Sequence, residues 1–260
     1  MIQVGIAGIP VDRKGKGIEE GIRYLSEIGL DAMEIQFVRG VFMNSESAEK
    51  VGRLAEKLEI RLSVHSPYYI NLASTEIATI EKSKEYIIKS AKRAKEAGAG
   101  IVVVHPAYYS NDTFELVRRA CEEVSSVVDN DVKIGLETAG RQRQFGTVDE
   151  IAKLVATVKG TVPVLDFAHI HARGNGSLNQ KEDYEAVFDR FEGNKFHIHF
   201  TGVKYAKGNE IKHTPINDDP NFKHLVEALI ERKYHATVIC ESPLLESDAL
   251  KMKEIITSVQ

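Results

Sequence analysis

Short apolar runs alternate with longer amphipathic ones along the whole chain, and no other feature of the sequence restricts the fold so strongly. Eight runs read as buried strands, at residues 3–9, 32–37, 61–65, 101–105, 133–137, 163–166, 195–200 and 237–241. They are rich in Val and Ile and mostly too short for helices. Eight candidate helices lie between them, at residues 17–28, 47–58, 80–97, 112–128, 148–158, 181–191, 221–232 and 244–256. Ser45 or Ser47 can open the second helix and Asp112 or Thr113 the fourth. Thr147 can open the fifth, where Glu150 completes a capping box. Gly29, Gly98 and Gly160 stand where helices should stop. Such alternation over 260 residues predicts an α/β protein, a closed (β/α)8 TIM barrel in which residues 1–260 form a single domain. That fold typically takes about 250 residues. The rival is an open doubly wound sheet, but Gly5-Ile6-Ala7-Gly8 lacks the G-x-G-x-x-G spacing of its nucleotide-binding form. The longest loops are expected after the sixth and seventh strands, at residues 170–180 and 201–220.

Composition narrows the function classes. Lys and Arg number 34 against 38 Asp and Glu, for a net charge of −4. Nucleic-acid binders usually carry a basic excess, so a polyanionic partner would have to meet a local patch or bound cations. The two cysteines, Cys121 and Cys240, are far apart and in no ligand spacing, which excludes a disulfide scaffold and a Cys-based zinc finger. No apolar run reaches the roughly 18 residues of a membrane span, and the N-terminus reads as a strand and not as a basic signal peptide. A cytoplasmic protein without membrane contact is expected, with a monomer as the default.

The polar residues fall at particular places. The third strand ends in His65, the fourth in His105, the fifth in Glu137 and the sixth in Asp166, with His169 three residues on. The seventh ends in His199 and the eighth in Glu241. A parallel barrel gathers these ends on one face, the face that carries active sites. Each alone is more simply a hydrogen-bonded rim residue, but a run of such coincidences points to divalent metal ions. Glu137, Asp166 and Glu241 would converge there. Two like charges about 5 Å apart repel by roughly 3 kcal/mol at an effective dielectric near 20, so protons, basic partners or cations must separate them. So many ligands over-supply one ion and imply two or three, with Glu137 as the bridging carboxylate. Zn2+ suits the ligand types, and Mn2+ can occupy such a site.

The remaining histidines read differently. His197 shares the parity of His199 but lies deeper, as a barrel-core residue. His171 is a candidate supporting group, and His224 and His235 read as surface residues. Arg39, Arg141, Arg143, Arg173, Lys204, Lys207 and Lys212 fall in loops at the ligand-bearing face and can make it locally positive. Tyr68 and Tyr69 follow His65 and can stack on a ring or a base.

The segments His65-Ser66-Pro67-Tyr68-Tyr69-Ile70-Asn71-Leu72, Val104-His105-Pro106, Glu137-Thr138-Ala139-Gly140 and Asp166-Phe167-Ala168-His169, with His199 and Glu241, resemble endonuclease IV. That family comprises (β/α)8-barrel AP endonucleases with a trinuclear zinc site, within the xylose-isomerase-like barrel group. The resemblance runs over nearly the whole chain. It implies a first metal on His65, His105 and Glu137, and a second that shares Glu137 and adds Asp166, His199 and Glu241. The third would use His169 and His213. The sequence departs from the family there: Ile211 stands where the family has an Asp, and Glu210, one residue back, is the substitute ligand. Arg141-Gln142 also replaces a Gln-Gly pair, and His199-Phe200-Thr201-Gly202 replaces a His-Leu-Asn-Asp motif. Tyr68 matches a family residue that enters the DNA near the lesion.

The resemblance implies a zinc-dependent hydrolase of base-excision repair, cutting the phosphodiester 5′ to an abasic site in damaged double-stranded DNA. Glu137 and Glu241 are the candidate catalytic carboxylates, and Tyr68, Arg39, Arg141 and Lys204 the candidate DNA contacts. One alternative is a single-metal sugar isomerase or epimerase of the same barrel group, for which Glu34 suits a sugar hydroxyl. The other is a barrel that binds damaged DNA without turnover.

Overall fold

The computed structural model describes residues 1–259. The elements run β1 (Ile2–Ala7), α1 (Ile18–Glu27), β2 (Ala32–Gln36), α2 (Ser45–Lys57), β3 (Arg61–His65), α3 (Ile77–Glu96), β4 (Ile101–Val104) and β5 (Ala107–Tyr108). They continue with α4 (Thr113–Val127), β6 (Lys133–Glu137), β7 (Gln144–Phe145), α5 (Val148–Thr157), β8 (Thr161–Asp166), α6 (Phe167–Arg173) and α7 (Lys181–Phe188). The last third holds β9 (Lys195–Phe200), β10 (Gly202–Ala206), β11 (Asn209–Thr214), α8 (Phe222–Glu231), β12 (His235–Cys240) and α9 (Glu246–Val259). Eight strands close a parallel barrel in the order β1-β12-β9-β8-β6-β4-β3-β2. This is the TIM barrel that the alternation predicts, as a single domain. Among the described residues no helix is long and apolar enough to cross a membrane.

Strand alternation divides the side chains into two sets. One set faces the helices: Val64 on β3, Val102 and Val104 on β4, Leu136 on β6, Leu165 on β8 and Ile198 on β9 all join the main apolar cluster. The other set points into the barrel, where such folds ordinarily stack bulky branched residues. Here the inward positions include Glu34, Ser63, His65, Glu137, Asp166, His197 and His199, all buried. The barrel therefore carries a polar column inside an apolar sleeve.

Helix ends follow the sequence in part. Thr147 and Glu150 form the reciprocal capping box of α5, and Gly29, Gly98 and Gly160 adopt positive φ after their helices. The second helix is a correction: its cap is Asn44, whose Oδ1 accepts the Ser47 amide at 2.8 Å. Ser45 lies inside the helix and its hydroxyl donates to Glu96. Asp112 precedes α4 in a left-handed conformation without a side-chain cap, while the Thr113 hydroxyl donates to the Ser110 carbonyl at 2.7 Å. The third helix begins at Ile77, three residues before the expected 80.

The two long loops are the larger correction, because both are structured. The first opens with α6, whose N-cap is Asp166: its Oδ1 accepts the His169 amide at 2.7 Å. The second folds into the antiparallel hairpin β10–β11. Lys207 and Gly208 turn it with φ of 51° and 69°, the positive values that a tight two-residue hairpin turn demands.

Candidate metal centre

Glu137, the last residue of β6, is the hub. Its Oε2 lies 3.2 Å from His65 Nε2 and 3.2 Å from His105 Nε2. Its Oε1 lies 3.2 Å from His199 Nδ1 and 3.5 Å from His169 Nδ1. One carboxylate thus faces two groups of imidazoles with different oxygens, which is the division of labour a bridging ligand needs. His199 Nδ1 also lies 3.5 Å from Glu241 Oε1.

The other nitrogen of most of these rings is fixed. A backbone carbonyl can only accept, so each ring nitrogen against one must carry the proton. His65 Nδ1 donates to the Ser66 carbonyl at 2.8 Å, His169 Nδ1 to Thr138 at 2.9 Å and His213 Nδ1 to Glu241 at 3.1 Å. His199 Nε2 donates to the Glu34 carboxylate at 3.1 Å. These tautomers leave lone pairs on His65 Nε2 and His199 Nδ1, both aimed at Glu137, and on His169 Nε2 and His213 Nε2, aimed at Glu210. Lone pairs facing carboxylate oxygens repel unless a proton or a cation lies between them. Fixing one nitrogen so that the other is free to ligate is what supporting residues do around bound metals.

The electrostatics state the same tension. Burial opposes charge on His65, but Glu137 outweighs it and lifts the ring to about 9. Burial likewise opposes charge on His169, which Asp166 and Glu137 lift to about 9. His105 is pulled down to about 3 by burial, against the attraction of Glu137. Burial pushes Asp166 up to about 6, opposed by His169 and reinforced by Glu241 and Glu137. Burial alone would raise Glu137, yet the surrounding histidines hold it well below the usual carboxylate range.

The donor set fits divalent ions. Zinc bonds of about 2.0–2.2 Å place neighbouring ligands of a tetrahedron roughly 3.4 Å apart. The nitrogens of His65, His105 and His199 that face Glu137 each lie 3.2 Å from one of its oxygens. Ligand atoms lie within 4.8 Å of one another in three groups at this face: His65, His105 and Glu137; Glu137, Asp166, His199 and Glu241; and Asp166, His169 and His213. Asp166 Oδ2 is buried without a hydrogen-bond partner, 3.3 Å from His169 Nδ1.

Glu210 reaches the third group through a backbone irregularity. Lys204 pairs with Lys212 and the next residue, Tyr205, with Glu210, so Ile211 is an extra, bulged residue on β11. A bulge shifts alternation by one position. Glu210 and His213, three apart, therefore both face inward: Glu210 lies 3.6 Å from His169 Nε2 and 3.7 Å from His213 Nε2. Ile211 is left half-exposed at 51%. Gly140 makes the approach possible. A Cβ there would stand 2.7 Å from the His169 ring and 3.0 Å from Glu210 Cβ.

These ligands open onto a cleft of about 360 Å³, lined also by Tyr68, Tyr108, Arg141 and Gln144. Tyr68 packs its ring 5.6 Å from His65 and 6.3 Å from His105. Arg141 Nε lies 3.6 Å from Glu210. Arg39 follows β2 beside a separate groove with Val38 and Phe42, and Lys204 is exposed on β10; neither lines the cleft. Arg173 is spent on structure, donating to the carbonyls of Arg141 at 2.5 Å and Gln144 at 2.8 Å. His171 does not touch the centre: its Nδ1 accepts the Leu178 amide at 3.1 Å. His235 sits at the opposite end of the barrel and His224 on α8.

Sequence reasoning missed the role of Glu34. It lies within β2, not at its end, and is fully buried. It accepts from Ser63 Oγ at 2.9 Å, His197 Nε2 at 2.9 Å and Gln36 Nε2 at 3.2 Å, besides His199. The expected sugar contact at Glu34 is therefore corrected: its oxygens are already taken. The inward parity that it shares with Gln36 was the available signal.

A family model described as a xylose isomerase-like TIM barrel matches residues 22–257. An uncharacterized protein of Methanocaldococcus jannaschii is 34% identical, covering 96% of this chain and 95% of that one. A probable endonuclease 4 of Staphylococcus carnosus is 30% identical over a shorter stretch, 50% of this chain and 46% of that protein. Among solved structures, endonuclease IV from Thermus thermophilus aligns with a TM-score of 0.78 at 19% identity, covering 99% of this chain and 98% of that one. A D-tagatose 3-epimerase-like protein aligns with a TM-score of 0.77 at 22% identity, covering 99% and 96%. At these identities the two structural likenesses are likenesses of fold.

Proposed function

The chain belongs to the xylose isomerase-like TIM barrel family, and we propose that it is a zinc-dependent hydrolase that cuts the DNA phosphodiester 5′ to an abasic site. The observation that carries this reading is the split geometry of Glu137, one oxygen toward His65 and His105 and the other toward His199. A single-ion sugar isomerase would need little more than Glu137, Asp166, His199 and Glu241, and would leave His65, His105, His169 and His213 without a task.

His65, His105 and Glu137 would hold one ion, and Glu137, Asp166, His199 and Glu241 a second. His169, His213 and Glu210 would hold a third, with Asp166 beside them. Bound zinc supplies Lewis acidity, which makes water nucleophilic near neutral pH and offsets phosphate charge. Glu241, 15% exposed at the cleft edge, would orient the attacking water and accept its proton. Arg141 borders the same cleft and would pair with a backbone phosphate, while Arg39 and Lys204 would contact flanking phosphates outside it. Tyr68 would stack in the gap left by the missing base. An abasic nucleotide has no pairing to lose, so extruding it into the cleft costs least, and selectivity for damage follows.

The test is incision of a duplex oligonucleotide with one abasic site, after metal removal and after zinc is restored. Zinc-dependent cleavage 5′ to the site is expected. An intact oligonucleotide, together with zinc-dependent turnover of a ketose, would replace this reading with the epimerase one. Tight binding of the abasic duplex without cleavage would leave a non-catalytic binder.

A further inference from the structure

The opposite end of the barrel holds a second cavity, of about 560 Å³, at the N-terminal ends of the strands. Barrels of this type normally plug that end with layers of side chains drawn from alternate strands. Here the inward positions nearest the mouth include Arg61 on β3, Lys133 on β6 and Lys195 on β9, the first residue of each strand, together with His235, the first of β12. In the ring order one strand separates β9 from β6 and one separates β6 from β3, so the three cations sit in one alternate-strand layer. All three line the cavity. The next inward positions on the same strands are His197, Gly135 and Ser63. Val164 and Ile101 fill the place over Gly135, and the cavity runs in as far as Ser63 and His197. Much of its exposed lining is apolar, and Ile101 and Val162 face into it.

The charge there is one-sided. Among the described residues, no carboxylate lines the cavity. Among the described residues, neither Arg61 nor Lys195 has an ion-pair partner, and Lys133 is tied only to the Asn130 carbonyl, at 2.9 Å. A chain of net charge −4 thus keeps a ring of cations around a hollow without neutralising it. Small-molecule sites are typically clefts of about 300–1,000 Å³ with mostly apolar walls and a few convergent polar groups, and this cavity has that form.

We propose that this cavity binds a small phosphorylated molecule, with its apolar body between the barrel walls and its phosphate against Arg61, Lys133 and Lys195. Three cations around one mouth favour a dianion over a single carboxylate, and Arg and Lys are the usual partners of phosphate oxygens. The site is independent of the metal centre, and the proposal does not rest on the activity assigned to that centre.

The experiment is calorimetric titration of the full chain after metal removal, which takes the other face out of competition for phosphate. The probes are phenyl phosphate, inorganic phosphate and phenol. Saturable binding of phenyl phosphate is expected, at least about tenfold tighter than either fragment and weakened by salt. Lys195→Gln, at an exposed position, should weaken it by about tenfold, and the triple variant Arg61→Gln, Lys133→Gln, Lys195→Gln by about a hundredfold or more. Lys89→Gln, an exposed charge elsewhere, should change nothing. Absence of saturable binding by the parent protein would overturn the proposal, as would equal binding by Lys195→Gln and the parent. Should the triple variant fail to fold, the Lys195→Gln comparison decides alone.

Discussion

Two glutamates on neighbouring levels of the barrel have nearly the same company and opposite prospects. Glu34 and Glu137 are both fully buried, both sit on inward strand positions, and both touch His199. Glu34, His197 and His199 could by distance alone hold an ion, as could the groups around Glu137. The difference is in the protons. Every close neighbour of Glu34 donates to it: a hydroxyl, an amide and two ring N–H groups. Around Glu137 one proton each of His65 and His199 points away, to a carbonyl and to Glu34, so the nitrogens that face the carboxylate hold either a second, exchangeable proton or a cation in its place. One glutamate is satisfied and sealed, whereas the other, equally buried, sits behind His65, His105 and His169, which line the open cleft. Metal-binding capacity is read from where the hydrogens go, and proximity of donors alone does not establish it.

The comparison can be broken most sharply at Glu137. Replacing a bridging carboxylate removes several kcal/mol of transition-state stabilisation, or about a thousandfold in rate. Glu137→Gln should therefore abolish incision, lose bound zinc and keep the circular dichroism of the parent. Full activity of that variant would end the bridging role. Glu34→Gln tests the other half. An amide there can present a donor to His199 Nε2–H, which favours the wrong tautomer at Nδ1. Loss of such a supporting partner typically costs roughly 10–100-fold in metal affinity, measurable by competition with a chelator. An unchanged affinity would make Glu34 mere filling.

A smaller effect is expected in the third group. Glu210→Ala should lower zinc content there while leaving the ions at Glu137 in place, read by elemental analysis. Deleting Ile211, by contrast, should leave that zinc in place, because Glu210 and His213 then stand two apart and keep one face of a regular strand. The smallest effect is on stability. Without metal, His65 and His169 have pKa values raised from 6.5 to about 9. Groups raised on folding stabilise most below their unfolded value and lose that contribution as pH climbs through the folded one. The melting temperature of the metal-stripped protein should fall between pH 6.5 and 9. Zinc takes the place of those protons, so the loaded protein should not show that fall.

Much of this was legible in the sequence, for a physical reason. Strand period and strand ends are local properties, so the barrel and the convergence of His65, His105, Glu137, Asp166, His199 and Glu241 could be read from spacing. What was not legible depended on irregular backbone. The Ile211 bulge, and not the length of the Glu210 side chain, brings Glu210 beside His213, and a bulge leaves no mark in the alternation of a short polar strand. The segment 167–173 is only two turns of helix and begins directly at a strand end, too short for periodicity to show. Arg173 reads as a free rim charge until the carbonyls that it holds are placed around it.

The central claim is that cations gather at Glu137 and not at Glu34. Anomalous diffraction at the zinc edge, from zinc-replete crystals, tests it most directly. A pair of peaks flanking the Glu137 carboxylate, with nothing between Glu34 and His197, is the expected map. A vacant centre around Glu137, or a peak at Glu34 instead, would contradict the account.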